Sequence, residues 1–171
     1  MTDATDQTNP RATVITVSDR CAAGDAVDVS GPLAQQMLIE AGWDVDVVVV
    51  PDERERITWA IMGAVDEKSR LVITTGGTGV GPRDVTPEAT ASLLNPEVPG
   101  IAETIRSVGV AVLPQAMLSR GRSGIVDGAL VVNLAGSTGA VKDGVPVILQ
   151  VAAHVVSQVD GGDHDRLRAD Q

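Results

Sequence analysis

The sequence predicts an α/β protein with three layers: a mostly parallel sheet, helices on both of its faces, and an antiparallel edge hairpin. Three observations predict it. β-branched runs alternate with segments of helical spacing; each run ends in a glycine, proline or serine/aspartate loop; and an Asp-Gly pair late in the chain separates two apolar segments as a tight hairpin turn does.

Residues 13–18 (TVITVS) form the first buried-strand pattern. Ser30-Gly-Pro opens a helix in which Leu33, Met37 and Leu38 share a face, and Gly42 stops it. Residues 44–50 (DVDVVVV) alternate and then become continuously apolar, a second strand closed by Pro51. Asp52-Glu-Arg-Glu55 has the form of a capping box, followed by Ile57, Ile61, Ala64 and Val65 at helical spacing to about Lys68. Residues 71–75 (LVITT) are a third strand, running straight into Gly76-Gly-Thr-Gly-Val-Gly81. Thr86-Pro-Glu88 starts a helix to Leu94, Pro99-Gly100 precedes another over 101–108, and 125–134 reads as a hairpin turning at Asp127-Gly128. Residues 141–158 form the closing helix, with Pro146 as a kink or a restart. Residues 1–11 read as a disordered lead-in and 161–171 as a polar tail around one domain, 12–160.

Composition narrows the function. The chain has 171 residues and a net charge of −10, a field that repels nucleic acid and anionic membranes. It has no Phe or Tyr and two Trp, so the core is aliphatic and a flat ligand finds few aromatic platforms. Cys21 is the only cysteine, which excludes an intrachain disulfide and suits an idle thiol. No apolar run approaches the ~20 residues of a membrane span and no apolar leader opens the chain, so a cytoplasmic location is expected.

In open parallel sheets ligands sit beyond the carboxyl ends of the strands, which directs attention to 18–20, 51–53, 74–84 and 133–138. Glycines in 76–81 free backbone N–H groups to face an anion, and Thr75 and Thr78 add hydroxyls. A P-loop is excluded because no Lys follows, and a dinucleotide fingerprint because Pro82 stands where its last Gly belongs. The bland alternative is a tight loop needing positive φ. Asp84 reads either as an Asx-turn residue or as a ligand-site carboxylate, and Asp52 either as a helix cap or as its partner. Together they suit one Mg²⁺ bridging substrate phosphates. Asp19 is a rim residue or a solvated turn residue. Ser119, Arg120, Arg122 and Ser123 are an exposed basic loop or a phosphate contact, and Gly136-Ser137-Thr138 is a second small-residue loop. His154 reads as a core or interface histidine, and His164 as idle. Asp52, Asp84, the 76–81 loop and Gly136-Ser137 are expected around one pocket.

The block Thr74-Thr-Gly-Gly-Thr-Gly…Pro82-Arg-Asp-Val-Thr-Pro-Glu-Ala-Thr90 resembles the signature of the Mog/MoaB family of molybdenum-cofactor biosynthesis proteins, related to the G domain of gephyrin. Val17-Ser-Asp19, Val50-Pro-Asp-Glu53, Pro99-Gly100 and Met117-Leu-Ser-Arg-Gly121 support it, and Gly161-Gly-Asp-His164 resembles the compact MoaB-type branch. The resemblance implies a phosphorylated pterin dithiolate, molybdopterin, as ligand and commonly a homotrimer. It implies adenylylation with Mg-ATP, in which the pterin phosphate attacks the α-phosphorus and pyrophosphate leaves. The product would pass to a molybdate-insertion enzyme. Two essential aspartates carry over onto Asp52 and Asp84, with Ser18, Asp19, Thr75, Gly76, Gly77, Thr78, Gly79, Ser119, Arg120, Gly136 and Ser137 as phosphate- or pterin-binding positions. The chain departs at Ala135-Gly-Ser-Thr138, where the family usually flanks Gly-Ser/Asn with prolines. A non-catalytic molybdopterin-binding or delivery protein is therefore the alternative.

Overall fold

A computed structural model describes residues 9–162. The five strands are β1 (Arg11–Val17), β2 (Asp44–Val50), β3 (Leu71–Thr75), β4 (Ser123–Val126) and β5 (Ala129–Leu134). They form one sheet of order β2-β1-β3-β5-β4, parallel except for the β4–β5 pair. The helices are α1 (Asp19–Ala22), α2 (Ser30–Glu40), α3 (Arg54–Asp66), α4 (Thr86–Ala91), α5 (Pro99–Val112) and α6 (Thr138–Val159), with a 3-10 turn at Pro114–Leu118. The expected three-layer α/β class is what the chain adopts.

Strand alternation sorts the core into two layers. Ala12, Val14, Leu71, Ile73, Leu130 and Val132 face α2, α5 and α6 through Leu38, Ile101, Val145 and Ile148. Ile15, Val17, Val72 and Val131 face α3 and α4 through Ile57, Ile61 and Ala89. Buried on both faces, β3 and β5 are uninterrupted buried runs, which is why their apolar patterns carry no alternation. The hairpin turn is as expected: Asp127 and Gly128 both take positive φ (42° and 86°), the requirement of a two-residue turn matched to strand twist.

Several boundaries differ. β1 begins at Arg11, which the sequence assigned to the lead-in, because Arg11 pairs with Asp44 in register and its guanidinium meets Asp46 at 2.5 Å. Ser18 is not in the strand: its hydroxyl accepts from the Cys21 amide (3.2 Å) and caps α1, a one-turn helix with no sequence forecast. The capping box at Asp52 does not form. Glu53 is the N-cap of α3 and makes no side-chain cap bond, because Asp52 is turned toward β1 instead. α5 runs on to Val112, and α6 starts at Thr138 and passes through Pro146 without restarting. Pro146 lies on the exposed side, where solvent is available to the carbonyl it leaves unpaired. By length and composition alone α6 is apolar enough to cross a membrane, yet its inner face (Val141, Val145, Ile148, Ala152) is part of the sheet-bound core. His154, expected in the core or an interface, is exposed on this chain. His164 and the 163–171 part of the tail lie outside the described residues, as do residues 1–8.

Candidate functional site

The sheet order reverses between β1 and β3: the chain leaves β1 for β2 on one side and returns to β3 on the other. Loops at such a point diverge and leave a crevice at the carboxyl edge. Ser18-Asp19, Asp52, 76–84 and 135–138 all stand on that edge, each directly after a strand.

Asp52 is positioned by Asp19. The Asp19 amide donates to Asp52 Oδ2 (2.8 Å) and the Asp52 amide donates to Asp19 Oδ1 (2.9 Å), which ties the end of β1 to the end of β2. Arg83 grips Asp19 bidentately, Nε to Oδ2 and Nη2 to Oδ1, both 2.9 Å. The two carboxylates therefore differ. Hydrogen bonding from Arg83 holds Asp19 below the usual carboxylate range. Asp52 is pushed above it, first by burial and further by the nearby charges of Asp19 and Asp84. Arg83 had no separate signal in the sequence, since it stands in an exposed Pro-Arg-Asp turn.

The glycine-rich loop is shaped by its contacts with these groups. Gly76 has φ 111°, and a methyl group there would lie 2.2 Å from the Val17 carbonyl oxygen. Gly77, at φ 63°, passes so close to α4 that a methyl would meet Thr86 Oγ1 at 2.4 Å and Asp52 Oδ1 at 3.0 Å. Thr86 fixes the loop from below, donating its hydroxyl to the Gly76 carbonyl (2.9 Å) and its amide to the Gly77 carbonyl (3.1 Å). Asp84 Oδ2 accepts from the Gly81 amide at 2.8 Å while the Asp84 amide donates back to the Gly81 carbonyl. That reciprocal turn is not the Asx-turn into α4, whose N-cap is Val85. Methyl groups on Gly79 and Gly81 would lie 2.9 and 2.8 Å from the same Asp84 oxygen.

Arg120 braces this loop from outside. Its Nε donates to the Gly79 carbonyl and its Nη2 to the Asp84 carbonyl, both 2.7 Å, and its Nη1 pairs with Glu88. Its backbone amide donates to the Thr78 carbonyl (2.8 Å), and the neighbouring Ser119 hydroxyl reaches Thr78 Oγ1 (3.3 Å). Arg120 and Ser119, singled out as phosphate contacts, thus hold the loop in shape. Beneath them lies Asn133, a buried amide that the sequence marked only as the start of the 133–138 segment. Its Nδ2 donates to Thr74 Oγ1 (2.9 Å) and Thr90 Oγ1 (3.0 Å), and its Oδ1 accepts from the Arg122 amide (3.0 Å). A polar residue in an otherwise apolar Val-Val-Asn-Leu strand is the signal that marked it.

The late loop has no flanking prolines but is pinned by other means. Thr75 Oγ1 donates to the Ala135 carbonyl (3.2 Å), and the Ser137 hydroxyl caps α6 by accepting from the Ala140 amide (3.1 Å). Gly136 passes so close to Gly76 that a methyl would sit 3.1 Å from its Cα.

Residues expected around one pocket contribute to three neighbouring cavities. Ser18, Thr75 and Gly136 line a cavity of about 300 Å³ with Cys21 and Asp28. Ser119 and Ser137 line another of about 250 Å³ under α5, and Ser119 and Arg120 a third of about 240 Å³. Asp52 and Asp84 line none of these three; Asp84 belongs to the 76–84 loop, and Asp52, at the end of β2, lies against that loop at Gly77.

An open parallel sheet with a glycine-rich loop and two carboxylates at its switch point is the architecture of α/β proteins that take phosphorylated ligands at the strand ends. Residues 13–154 match the family described as "Probable molybdopterin binding domain", and the chain belongs to that family. It is 42% identical over 92% of its length to a molybdenum cofactor biosynthesis bifunctional protein of Synechococcus elongatus, of which it spans 50%. It is 34% identical to the molybdopterin adenylyltransferase of Escherichia coli, over 85% of this chain and 77% of that one. The crystal structure of a molybdopterin biosynthesis protein from Mycobacterium abscessus superposes with a TM-score of 0.85 at 48% identity, covering 89% of this chain and 97% of that one. The chain spans about half the length of its bifunctional relatives.

Proposed function

We propose that this chain acts in molybdenum-cofactor biosynthesis as a molybdopterin adenylyltransferase, joining the terminal phosphate of molybdopterin to the adenylyl group of ATP. The observation that carries the reading is that Asp52 and Asp84, from the ends of different strands, flank one glycine-rich loop: Asp52 lies against Gly77, and Asp84 against Gly79 and Gly81. The names of the relatives support the same chemistry.

Joining two anionic phosphates is chiefly a matter of positioning and charge neutralisation. An oxygen of the pterin phosphate forms the new bond to the α-phosphorus of ATP, the bond to the β-phosphate breaks, and pyrophosphate departs with its electron pair. The 77–80 amides and the Thr78 hydroxyl hold phosphate oxygens, the Gly76 and Gly81 amides being engaged by Leu134 and Asp84. Asp19 and Arg83 keep Asp52 aimed at the loop, and Arg120 keeps Asp84 there.

The donor set fits Mg²⁺. Among the described residues, Asp52 Oδ1 and Asp84 Oδ1 accept no hydrogen bond, and Asp84 burdens Asp52 with like charge. No group of three or more His, Cys, Asp or Glu is gathered as a metal site among those residues, so an ion here would be held by these two carboxylates and completed by substrate oxygens. Bound there, Mg²⁺ supplies neutralisation of the phosphoryl oxygens.

The protein is expected to work in the cytoplasm as a homotrimer and to hand its product to a molybdate-insertion enzyme. The test is to incubate pure protein with molybdopterin and Mg-ATP and to measure pyrophosphate, with light scattering for the assembly. Tight molybdopterin binding without pyrophosphate would instead establish the binding or delivery role.

A further inference from the structure

The Asn133 amide is a buried polar group set in an aliphatic layer. Asn133 pairs with Thr74 in the β3–β5 register, and both side chains share the face of Val72 and Val131, toward α4. Asn133 is 2% exposed, and Thr74, Thr86 and Thr90 are fully buried. A valine at 133 would continue the apolar run of β5 without the cost of taking an amide out of water. Burial alone thus gives no reason for an amide at this position.

Its hydrogen bonds fix its orientation. Both Nδ2 protons are spent, one on Thr74 Oγ1 (2.9 Å) and one on Thr90 Oγ1 (3.0 Å), and Oδ1 accepts from the Arg122 amide (3.0 Å). Turned over, the side chain would set its amino group against the Arg122 N–H, donor against donor. Thr90 is committed as well, because its single hydroxyl proton goes to the Thr86 carbonyl (2.8 Å). A buried network satisfied in this way holds one arrangement of the elements it joins.

The frame of the glycine-rich loop hangs from this amide by two limbs. On the Nδ2 side, Thr90 seats α4. The first residue of α4, Thr86, donates to the Gly76 and Gly77 carbonyls, and Gly77 lies against Asp52. On the Oδ1 side, the Arg122 amide seats the 119–122 segment, whose Arg120 donates to the Gly79 and Asp84 carbonyls. Glu88, on α4, pairs with that same Arg120, so the limbs close into a ring with Asn133 at its base. We propose that Asn133 is the positioning residue that sets Asp52 and Asp84 at a fixed spacing across the loop. It acts through Thr90 and Arg122, not by contact with the reacting phosphates. This deepens the adenylyltransferase reading and rests on it. A displaced loop still offers its amides to phosphate while its two carboxylates lose their mutual geometry. Loss of the relay therefore lowers kcat more than it raises KM.

The test uses Thr90→Val, which removes the hydroxyl at nearly constant volume, and Thr90→Ser, which restores it. Thr104→Val is the control: Thr104 makes the same kind of bond within α5, to the Gly100 carbonyl (2.8 Å). Pyrophosphate release with molybdopterin and Mg-ATP gives kcat and KM, at a temperature where thermal melts show each variant folded. Thr90→Val is expected to lower kcat about tenfold or more with KM within about twofold, and Thr90→Ser to recover most of the loss. Asn133→Ser, too short to reach both Thr90 and the Arg122 amide, is expected to lose at least as much as Thr90→Val. Thr104→Val keeps both constants. Hydrogen exchange at the Thr86 and Gly81 amides is expected to quicken about tenfold in Thr90→Val and to stay near wild type in Thr90→Ser. A Thr90→Val variant with wild-type kcat, or a loss that serine does not rescue, overturns the positioning role and leaves the adenylyltransferase reading standing. If wild type releases no pyrophosphate, that reading falls and the exchange rates decide: unchanged rates overturn the relay, and quickened rates rescued by serine uphold it.

Discussion

Asp19 and Asp52 exchange hydrogen bonds, each backbone amide donating to the other's carboxylate at 2.8 and 2.9 Å. Two like-charged side chains are thereby locked at the ends of adjacent strands, and Arg83 neutralises only Asp19. The result is a pair of carboxylates with divergent proton affinities, Asp19 held low and Asp52 pushed up.

Asp52→Asn should separate stability from activity. Because burial raises the Asp52 pKa in the folded chain, its ionised form weighs against folding; that cost is absent below the unfolded carboxylate value of about 4, grows as pH rises above it, and is complete above the folded value. The variant is expected to melt above wild type at pH 7, with the gap closing toward pH 4, while pyrophosphate release is lost. Thermal melts across this range check it, and a variant less stable than wild type at pH 7 would refute the sign.

Asp84→Asn should leave the loop intact, since an amide oxygen accepts from the Gly81 amide as Oδ2 does. Turnover is expected to fall about a hundredfold or more through loss of charge opposite the phosphates, with pterin affinity unchanged or slightly tighter. An equally active variant would remove Asp84 from the mechanism.

Gly76→Ala sets a methyl group 2.2 Å from a main-chain oxygen at φ 111°, where neither side yields easily. A loss of about 3 kcal/mol or more is expected in urea unfolding. Gly100→Ala, in the first turn of α5 with nothing within 4 Å, is the control and should cost almost nothing.

Arg120→Gln removes the brace across Gly79, Asp84 and Glu88. A destabilisation of about 1–2 kcal/mol is expected, small because the ion pair is half-exposed. Hydrogen exchange at the Gly81 and Asp84 amides should quicken while β3 stays protected. Unchanged exchange in the loop would show that Thr86 alone secures it.

The layers were legible because strand and helix periods survive wherever one face is buried, as in Leu38, Ile57 and Val145. The glycine-rich loop was legible for a different reason: so many glycines after a buried strand demand close approach. What escaped notice was non-local. Nothing in Asp52-Glu-Arg-Glu distinguishes a helix cap from a carboxylate turned toward a neighbouring strand, because the decision is made by Asp19, 33 positions away. The brace formed by Arg120 was equally invisible, because its carbonyl partners lie 36 and 41 positions away. Asn133 was readable as a polar interruption, but its Thr partners belong to β3 and α4.

The sheet order carries a consequence for synthesis. β2, β1 and β3 are adjacent in the sheet and complete by Thr75, so the amino-terminal part of a nascent chain has its strand pairs early, with the outer edge of β3 uncovered. β5 covers that edge only after Leu134 has been made, and the same docking supplies the Gly76–Leu134 and Thr75–Ala135 bonds that shape the ligand loops. An emerging chain thus presents an unpaired apolar edge before the ligand loops take shape, the stage at which it is most prone to aggregate. Once docked, any ligand bound across the seam holds the late hairpin to the early sheet, so substrate supply and protein lifetime are linked.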